Sequence, residues 1–259
     1  MKSKTFIILS SSYVIGGVSA FIPPSTWSHP RRLSLHETKQ DLEILAQELN
    51  PILGYFDPLH IADSKLWGTS DEFTIGFLRH SEIKHGRVAM AAFIGYCIQS
   101  HYHFPWAMTW SGTPFPSTSL SPPEQWNAIP FEFKIQILLF IGFLEFYSEL
   151  TPRLGSNVGI VHYTQGGIPG KYPSFKGLPH PTLDLYDPFG WNKNMSTETK
   201  KRRLRAEINN GRLAMIGIMG FLCAETIPGS VPFLDHVVKP YSGEVMGPFL
   251  GDLELPLLF

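Results

Sequence analysis

A nine-residue stretch that occurs twice constrains the fold of this chain more than any other feature. The first copy is EIKHGRVAM at 82–90 and the second is EINNGRLAM at 207–215. Each copy opens an apolar run and places a carboxylate and a guanidinium inside it. A charge in such a run requires a partner, because an isolated charged side chain at the centre of a bilayer costs about 3 kcal/mol or more. An Asp-Pro pair precedes each copy, Asp57-Pro58 and Asp187-Pro188, so the internal repeat extends beyond the charged stretch.

Three segments have the length and apolar content of membrane spans. The chain is 43% hydrophobic and 17% charged, whereas ordinary soluble domains carry about 25% charged residues. A bilayer core of about 30 Å requires about 20 residues of helix. The sequence therefore predicts an all-α membrane protein with short amphipathic surface helices and three transmembrane helices, at 73–102, 129–150 and 204–227. The net charge of -1 gives no reason to expect a nucleic-acid partner.

The duplicated charges can be neutralised if the first and third helices are parallel, crossed and related by a pseudo-two-fold axis. Glu82 and Arg87 are five residues apart, whereas ion pairs on one helix form at spacings of three or four. Crossed helices instead allow Glu82 to pair with Arg212 and Glu207 to pair with Arg87. The small residues beside each arginine permit a close crossing.

His85 and Asn210 lie three residues after Glu82 and Glu207, on the same helical faces. Each offers one ligand atom, and a carboxylate paired with an arginine still has a second oxygen. Mg²⁺ accepts oxygen ligands readily. An ion held by the four nitrogens of a chlorin requires one further ligand. The four residues are therefore candidate axial ligands of the magnesium of a chlorophyll.

The N-terminus has the features of a targeting sequence. Residues 1–20 combine a basic start, a short apolar stretch and small residues at a cleavage site, as in a signal peptide. Residues 21–35 are basic, rich in Ser and Pro and free of acidic residues, as in a transit segment. The two together resemble the bipartite presequence of algae with red-lineage secondary plastids.

The distribution of lysine and arginine orients the three helices. The segment 103–128 contains neither residue, whereas 151–203 is rich in both. Because basic loops face the compartment of insertion, 151–203 and the N-terminal segment 36–72 are predicted to be stromal. The segments 103–128 and 228–259 are then lumenal.

The two motifs, the Asp-Pro approaches and a middle helix that ends in Gly-Phe-Leu-Glu resemble the light-harvesting chlorophyll-binding superfamily. Together with the presequence, they make the chain similar to fucoxanthin chlorophyll a/c-binding proteins over about 54–237. The resemblance implies a non-enzymatic, multi-pass antenna protein of the plastid thylakoid membrane. Its expected cofactors are chlorophyll a, chlorophyll c and fucoxanthin or related xanthophylls. Its expected partners are thylakoid lipids, other antenna subunits and a photosystem core, with photosystem I favoured by the run at 209–222.

The resemblance also implies roles for individual residues. The expected magnesium ligands are Glu82, His85, Glu145, Glu207 and Asn210, with Gln136 and His236 as weaker candidates. For Glu145 the alternative is an ion pair on the stromal side, and for His236 it is an ordinary surface position. The expected carotenoid contacts are Asp57, Pro58, Asp187, Pro188, Met90 and Met215. Ala224 stands where many members have a further ligand, with Glu225 beside it as a possible substitute.

Two other functions are open at this point. A photoprotective, energy-dissipating member of the superfamily would use lumenal carboxylates as pH sensors, and Glu225 and Asp235 lie on the predicted lumenal side. A membrane di-iron carboxylate oxidase would share the Glu-x-x-His motif. In this chain such a di-iron site would lack its second histidine, because Asn210 occupies that position. Each motif also contains an arginine, which would repel iron.

Overall fold

The computed structural model describes residues 37–153, 160–173, 175, 194–245, 247 and 249. All of them belong to one compact unit that begins at Ser34. The predicted signal peptide and transit segment, at 1–20 and 21–35, lie outside the described residues, as do Asp187 and Pro188.

The described residues form helices and contain no β-strand, which confirms the predicted helical class. Within the described ranges, four short 3-10 turns, at Ile61–Asp63, Leu66–Gly68, Tyr163–Gln165 and Pro232–Leu234, connect or follow the helices. The α-helices, numbered in chain order, are α1 (Lys39–Leu49), α2 (Asp71–Gln99), α3 (Pro122–Ala128), α4 (Phe131–Arg153) and α5 (Thr197–Thr226).

Capping residues set where the helices begin. Thr38 caps α1 in a reciprocal capping box with Asp41, and the Ser70 side chain accepts a hydrogen bond from the N–H of Phe73 at the start of α2. Ser196 accepts from the N–H of Thr199, so that α5 begins at Thr197 and not at 204. The sequence-based bounds followed hydropathy alone, whereas polar helix-forming residues extend α5 by two turns on its N-terminal side.

Within the described residues, no helix is both apolar enough and long enough to count as a membrane span. The prediction of three transmembrane helices stays a prediction.

The principal packing contact joins α2 and α5. Gly86 and Gly211 meet at the crossing, where a Cβ added to Gly86 would lie 3.0 Å from the Cα of Gly211. Further along both helices the ring of Phe221 stacks on Phe93 and Tyr96, with centroids 4.9 and 4.5 Å apart. Contacts therefore follow the same order along the two helices, which run parallel.

Helix α4 stands apart from this pair. Among the described elements, it makes none of the extended backbone contacts that join α2 to α5, to the turn at Tyr163–Gln165 and to the turn at Ile61–Asp63. Polar bonds attach it near its C-terminal end, where Lys84 of α2 donates to Glu149 at 2.9 Å and the Tyr172 hydroxyl donates to the Leu144 carbonyl at 2.8 Å. Its middle carries apolar side chains that are half exposed or more, namely Leu139, Phe140, Ile141, Phe143 and Phe146.

The segment 160–173 packs against the N-terminal half of α2. At Gly76 an added Cβ would lie 2.6 Å from the Tyr163 carbonyl oxygen, and at Gly170 it would lie 2.6 Å from Ile83 Cγ2. Gly170 also has a φ of +73°, a backbone conformation that residues with a side chain rarely adopt. Glycine at these positions lets the segment lie directly on the helix.

Candidate functional site

Both interhelical ion pairs are present where α2 crosses α5. Arg212 donates from Nε and Nη2 to Glu82 Oε1, at 2.7 and 2.6 Å. Arg87 donates from Nε to Glu207 Oε1 at 2.6 Å. Each glutamate is thus neutralised by an arginine of the other helix, and the glycine contact at the crossing brings the helices close enough for both pairs to form.

Glu82 differs in one respect from the sequence-based interpretation. Its second oxygen, expected to be open for a metal, accepts a hydrogen bond from Arg79, which lies one turn earlier on α2. Arg79 is 5% exposed and also donates to Glu37 at 3.2 Å. Burial raises the pKa of Glu37, although the Arg79 guanidinium acts in the opposite direction. A carboxylate oxygen has two lone pairs, so Oε2 of Glu82 can still bind a metal, but it is shared with Arg79.

The sequence contained a signal for this contact that the interpretation missed. Arg79 and Glu82 stand at the i, i+3 spacing at which helical ion pairs form.

Glu207 is the less constrained of the two carboxylates. Among the described residues, only Arg87 bonds to it, and only at Oε1. Arg87 also donates from Nη1 to the carbonyl oxygen of Gly170 at 2.5 Å. The segment 160–173 therefore helps to hold the arginine that neutralises Glu207.

The hydrogen bond of His85 fixes its tautomer. His85 is exposed on α2, and its Nδ1 lies 2.7 Å from the carbonyl oxygen of Ser81. A carbonyl oxygen only accepts, so Nδ1 carries the proton and Nε2 presents a bare lone pair. Histidines that bind metals almost always donate their other ring N–H in this way, often to a backbone carbonyl. Asn210 is likewise exposed on α5, with its side-chain oxygen available as a ligand.

Glu145 takes part in an ion pair with Lys84, as the alternative for this residue envisaged. Lys84 lies on α2 and also donates to Ser148 and Glu149. Glu149, which the sequence interpretation did not select, is the centre of this cluster. It accepts from His162 Nε2 at 3.0 Å and from the Tyr163 hydroxyl at 3.1 Å.

No local pattern could have revealed the Glu149 cluster, because its members lie on three separate parts of the chain. The His162 side chain is buried, and its Nδ1 lies 2.6 Å from the Thr164 hydroxyl. Burial and the Glu149 carboxylate raise the pKa of Tyr163. Burial also raises the pKa of Tyr172 to about 12. The cluster therefore joins α2, α4 and the segment 160–173 through polar groups that are withdrawn from water.

Two weaker ligand candidates are exposed. Gln136 lies on the outer surface of α4. The side chain of His236 is 93% exposed, and its Nε2 lies 3.7 Å from Asp235 Oδ2. In the segment before His236, the described residues form the 3-10 turn Pro232–Leu234. Pro232 begins this turn, and the positive φ of His236 ends the helical path soon after it.

Asp57 organises the approach to α2. Its carboxylate accepts from the N–H groups of Ile61 and Ala62, both at 3.0 Å, and from the Tyr55 hydroxyl at 3.1 Å. These backbone bonds hold the pKa of Asp57 below its ordinary value. The predicted carotenoid contact is thus part of a well-bonded turn. Met90 and Met215 are half-buried on α2 and α5.

A cavity of about 360 Å³ lies beside the crossing. One wall is apolar and comes from α1, including Leu42, Leu45 and Leu49. The opposite wall includes Glu82 and Arg212. An apolar space with one charged edge suits a ligand that is largely hydrophobic and carries a single polar or metal centre.

Glu225 is buried and does not extend to the surface as a ligand in place of Ala224. The Tyr96 hydroxyl donates to its Oε1, and the Tyr241 N–H donates to its backbone carbonyl at 2.9 Å. Asn127 in turn donates to the Tyr241 hydroxyl at 2.7 Å. Glu225 therefore belongs to a polar network that ties α2, α3, α5 and the C-terminal segment together.

A di-iron site is not assembled in the part of the chain that the structure describes. No three His, Cys, Asp or Glu side chains there come together as a metal-binding group. Glu82 and Glu207 are both paired with arginines, which would repel a second cation.

Comparison with known proteins shows the family of the chain. The family model described as chlorophyll A-B binding protein matches residues 42–226, and the chain belongs to this family. The family consists of pigment-binding light-harvesting antenna proteins and not of enzymes. The resemblance seen in the two motifs is thereby confirmed.

Three relatives show how far the similarity extends. The chain is 30% identical to the fucoxanthin-chlorophyll a-c binding protein, chloroplastic, of Trieres chinensis, over 88% of this chain and 98% of the relative. It is 29% identical to fucoxanthin-chlorophyll a-c binding protein C, chloroplastic, of Phaeodactylum tricornutum, over 86% and 96%. It is 30% identical to protein B of the same name from Macrocystis pyrifera, over 82% and 84%.

Proposed function

We propose that the chain is an antenna protein of a plastid thylakoid that binds chlorophyll a, chlorophyll c and fucoxanthin or a related xanthophyll. The relatives carry these pigments and the chloroplast in their names. The observation that carries the proposal is the geometry of His85. Its Nδ1 is hydrogen-bonded to the Ser81 carbonyl. Its Nε2, with a free lone pair, lies on an exposed face beside the crossed ion pairs.

The chain supplies a suitable set of ligands for magnesium in a chlorin. His85 offers a nitrogen, Asn210 a neutral oxygen and Glu207 a carboxylate oxygen whose charge Arg87 balances. Each is a single ligand, which suits a metal that already has four nitrogens around it. Glu82, Glu145, Gln136 and His236 complete the proposed set, with Glu82 sharing its second oxygen with Arg79.

Three membrane passes follow from the same proposal. The helices α2, α4 and α5 have 29, 23 and 30 residues, and each therefore exceeds the bilayer core of about 30 Å at about 1.5 Å per residue. The motif charges of α2 and α5 are paired between the two helices, Glu82 with Arg212 and Glu207 with Arg87. The exposed apolar middle of α4 suits contact with lipid tails and pigments. The loops 103–128 and 151–203 would then lie in the lumen and the stroma.

The contribution of the protein is positional. Bound chlorophyll and carotenoid supply light absorption and energy transfer. The crossed helices fix the ligand atoms at set separations, and the Glu149 and Glu225 networks hold the surrounding segments in place. The apolar wall from α1 keeps water from the site beside Glu82. Carotenoids would lie against α2 and α5 near Met90 and Met215, with head groups at the two Asp-Pro approaches.

The antenna would pass excitation to a photosystem core, with photosystem I favoured, in contact with other antenna subunits and thylakoid lipids. The sequence of α5 supports this preference through its resemblance to members associated with that photosystem. Purification of the native complex tests it directly. The chain should migrate with photosystem I cores and sensitise their emission, whereas migration with photosystem II cores alone would reject the preference.

Reconstitution of the protein with a pigment extract tests the proposed function. The wild-type protein should retain chlorophyll a, chlorophyll c and a xanthophyll, and His85→Leu and Asn210→Leu should each bind one chlorophyll fewer. His60→Leu, a change of an exposed histidine in the N-terminal segment, is the matched control and should bind the full set. A wild-type protein without chlorophyll would reject the function. An unchanged pigment count in both ligand variants would reject the site.

A further inference from the structure

A histidine just beyond the C-terminal end of α2 repeats the arrangement of His85. His101 follows the C-cap of the helix, is exposed, and has its Nδ1 3.0 Å from the carbonyl oxygen of Cys97. The carbonyl can only accept, so Nδ1 carries the proton and Nε2 is left with its lone pair. No hydrogen bond to Nε2 occurs in the described part of the chain.

The other histidines that make side-chain hydrogen bonds in the described part of the chain are arranged differently. His80 Nδ1 accepts a hydrogen bond from the Gly170 N–H and His103 uses its Nε2 with the Gln125 oxygen. His162 engages both ring nitrogens. Among the described histidines, only His85 and His101 combine a proton fixed by the carbonyl four residues earlier with an exposed, unengaged Nε2. The local chemistry that makes His85 a ligand candidate is therefore present a second time.

His85 lies at the middle of α2, whereas His101 lies just beyond its C-terminal end. They are sixteen residues apart, which corresponds to about 24 Å along the axis. One macrocycle cannot reach both, so any ligand of His101 occupies a site separate from that of His85.

The chain that follows His101 offers an apolar, aromatic surface. Phe104 and Trp106 stack with ring centroids 4.3 Å apart, and Tyr102 meets Phe104 edge to face at 5.9 Å. All three rings are exposed. No Asp, Glu, Lys or Arg occurs between His101 and Glu124. Flat aromatic rings without charge suit contact with the face of a flat, hydrophobic macrocycle.

We propose that His101 Nε2 is the axial ligand of a further magnesium tetrapyrrole, bound at the C-terminal end of α2 against the rings of Tyr102, Phe104 and Trp106. The proposal rests on the proposed pigment-binding function and adds a site to it. A histidine at the end of a helix can also stabilise the helix through the same bond to a carbonyl. The number of bound pigments, and not helix stability, therefore distinguishes the two roles.

Reconstitution with the pigment extract provides the first test. His101→Leu should bind one tetrapyrrole fewer than the wild-type protein, with a matching loss in the red absorption band. His101→Asn keeps a ligand oxygen of the kind that Asn210 offers and should retain that pigment. His103→Leu is the matched control, because the Nε2 of His103 is already occupied by Gln125, and it should bind the full set.

Chemical labelling of the wild-type protein provides a second test that requires no variant to fold. Diethyl pyrocarbonate modifies an accessible imidazole, so His101 should be protected in the reconstituted protein and labelled without pigments. The exposed His60 should be labelled in both states. A full pigment count in His101→Leu, or labelling of His101 in the reconstituted wild-type protein, would overturn the proposal. Loss of all chlorophyll from the wild-type protein would instead reject the proposed function as a whole.

Discussion

Gly86 and Gly211 are in backbone contact where α2 crosses α5. A Cβ on Gly211 would lie 2.9 Å from the Cα of Gly86, closer than real Cβ atoms approach another atom. The two ion pairs depend on this contact, because side chains of fixed length bridge the helices only at short separation.

Substitution of the crossing glycine should separate the helices. We expect Gly211→Ala to lower the stability of the reconstituted protein by about 1–3 kcal/mol, the usual cost of overpacking. The measurement is the thermal midpoint followed by circular dichroism. Gly95→Ala is the control, since a Cβ at Gly95 meets no atom within 4 Å and alanine favours the helix. Equal midpoints for the two variants would show that the contact is not required.

The ion pair between Glu82 and Arg212 should matter more for assembly than for a single pigment. Arg212→Leu leaves Glu82 with Arg79 as its remaining partner and removes a link between the helices. We expect a loss of about 2 kcal/mol, between the values for surface and buried pairs. The yield of pigmented protein measures it. Adding Glu82→Gln should recover part of the yield, because it removes the carboxylate charge that Arg212 no longer balances. No recovery would contradict this account.

Glu149 should hold the segment 160–173 in place. Glu149→Gln removes the carboxylate charge to which Lys84, His162 and Tyr163 all bond. A buried polar group that loses its hydrogen-bond partner lowers the free energy of unfolding by about 1–3 kcal/mol. Trypsin should then cleave faster after the exposed Lys171. Glu132→Gln alters an exposed glutamate on the same helix and should leave the cleavage rate unchanged. Identical rates for both variants would exclude the proposed attachment.

The turn organised by Asp57 should depend on pH only under acidic conditions. Because its pKa is lowered in the folded state, its stabilising effect is complete above the unfolded value of about 3.9 and is lost as the pH falls through the folded value. Amide exchange at Ile61 and Ala62, corrected for intrinsic rates, should therefore show constant protection between neutrality and pH 5. Asp57→Asn should weaken protection already at neutral pH. Protection that declined between pH 7 and 5 would show that another group controls the turn.

The crossing could be inferred from the sequence because duplication supplies information that a single helix does not. Each copy of the charged motif has a glutamate and an arginine at a spacing that does not allow a pair within one helix. Pairing between the two helices neutralises all four charges, and the pairs of Glu82 with Arg212 and Glu207 with Arg87 are the result. The assignment of magnesium ligands stays a prediction. Residues such as Glu149 and His162 could not be connected in advance, because nothing in their sequence neighbourhoods indicates a partner on a distant segment.

Helix bounds show a second difference between sequence and structure. Hydropathy indicates where a helix is apolar, whereas Ser196 determines where α5 begins, in a region dominated by lysine and arginine. Similarly, the segment at Pro232–Leu234 has an amphipathic composition but is too short, between a proline and a residue of positive φ, to form a full helix.

The separation of α4 from the crossed pair links the amount of this protein to the supply of its ligands. A helix that is attached near its two ends and has an exposed apolar middle buries little of that middle against its own chain. Any molecule that binds only the folded form stabilises it in proportion to the logarithm of its concentration. We therefore expect folded protein to accumulate no faster than pigments are synthesised. Newly made chains that bind no pigment should be removed by proteolysis.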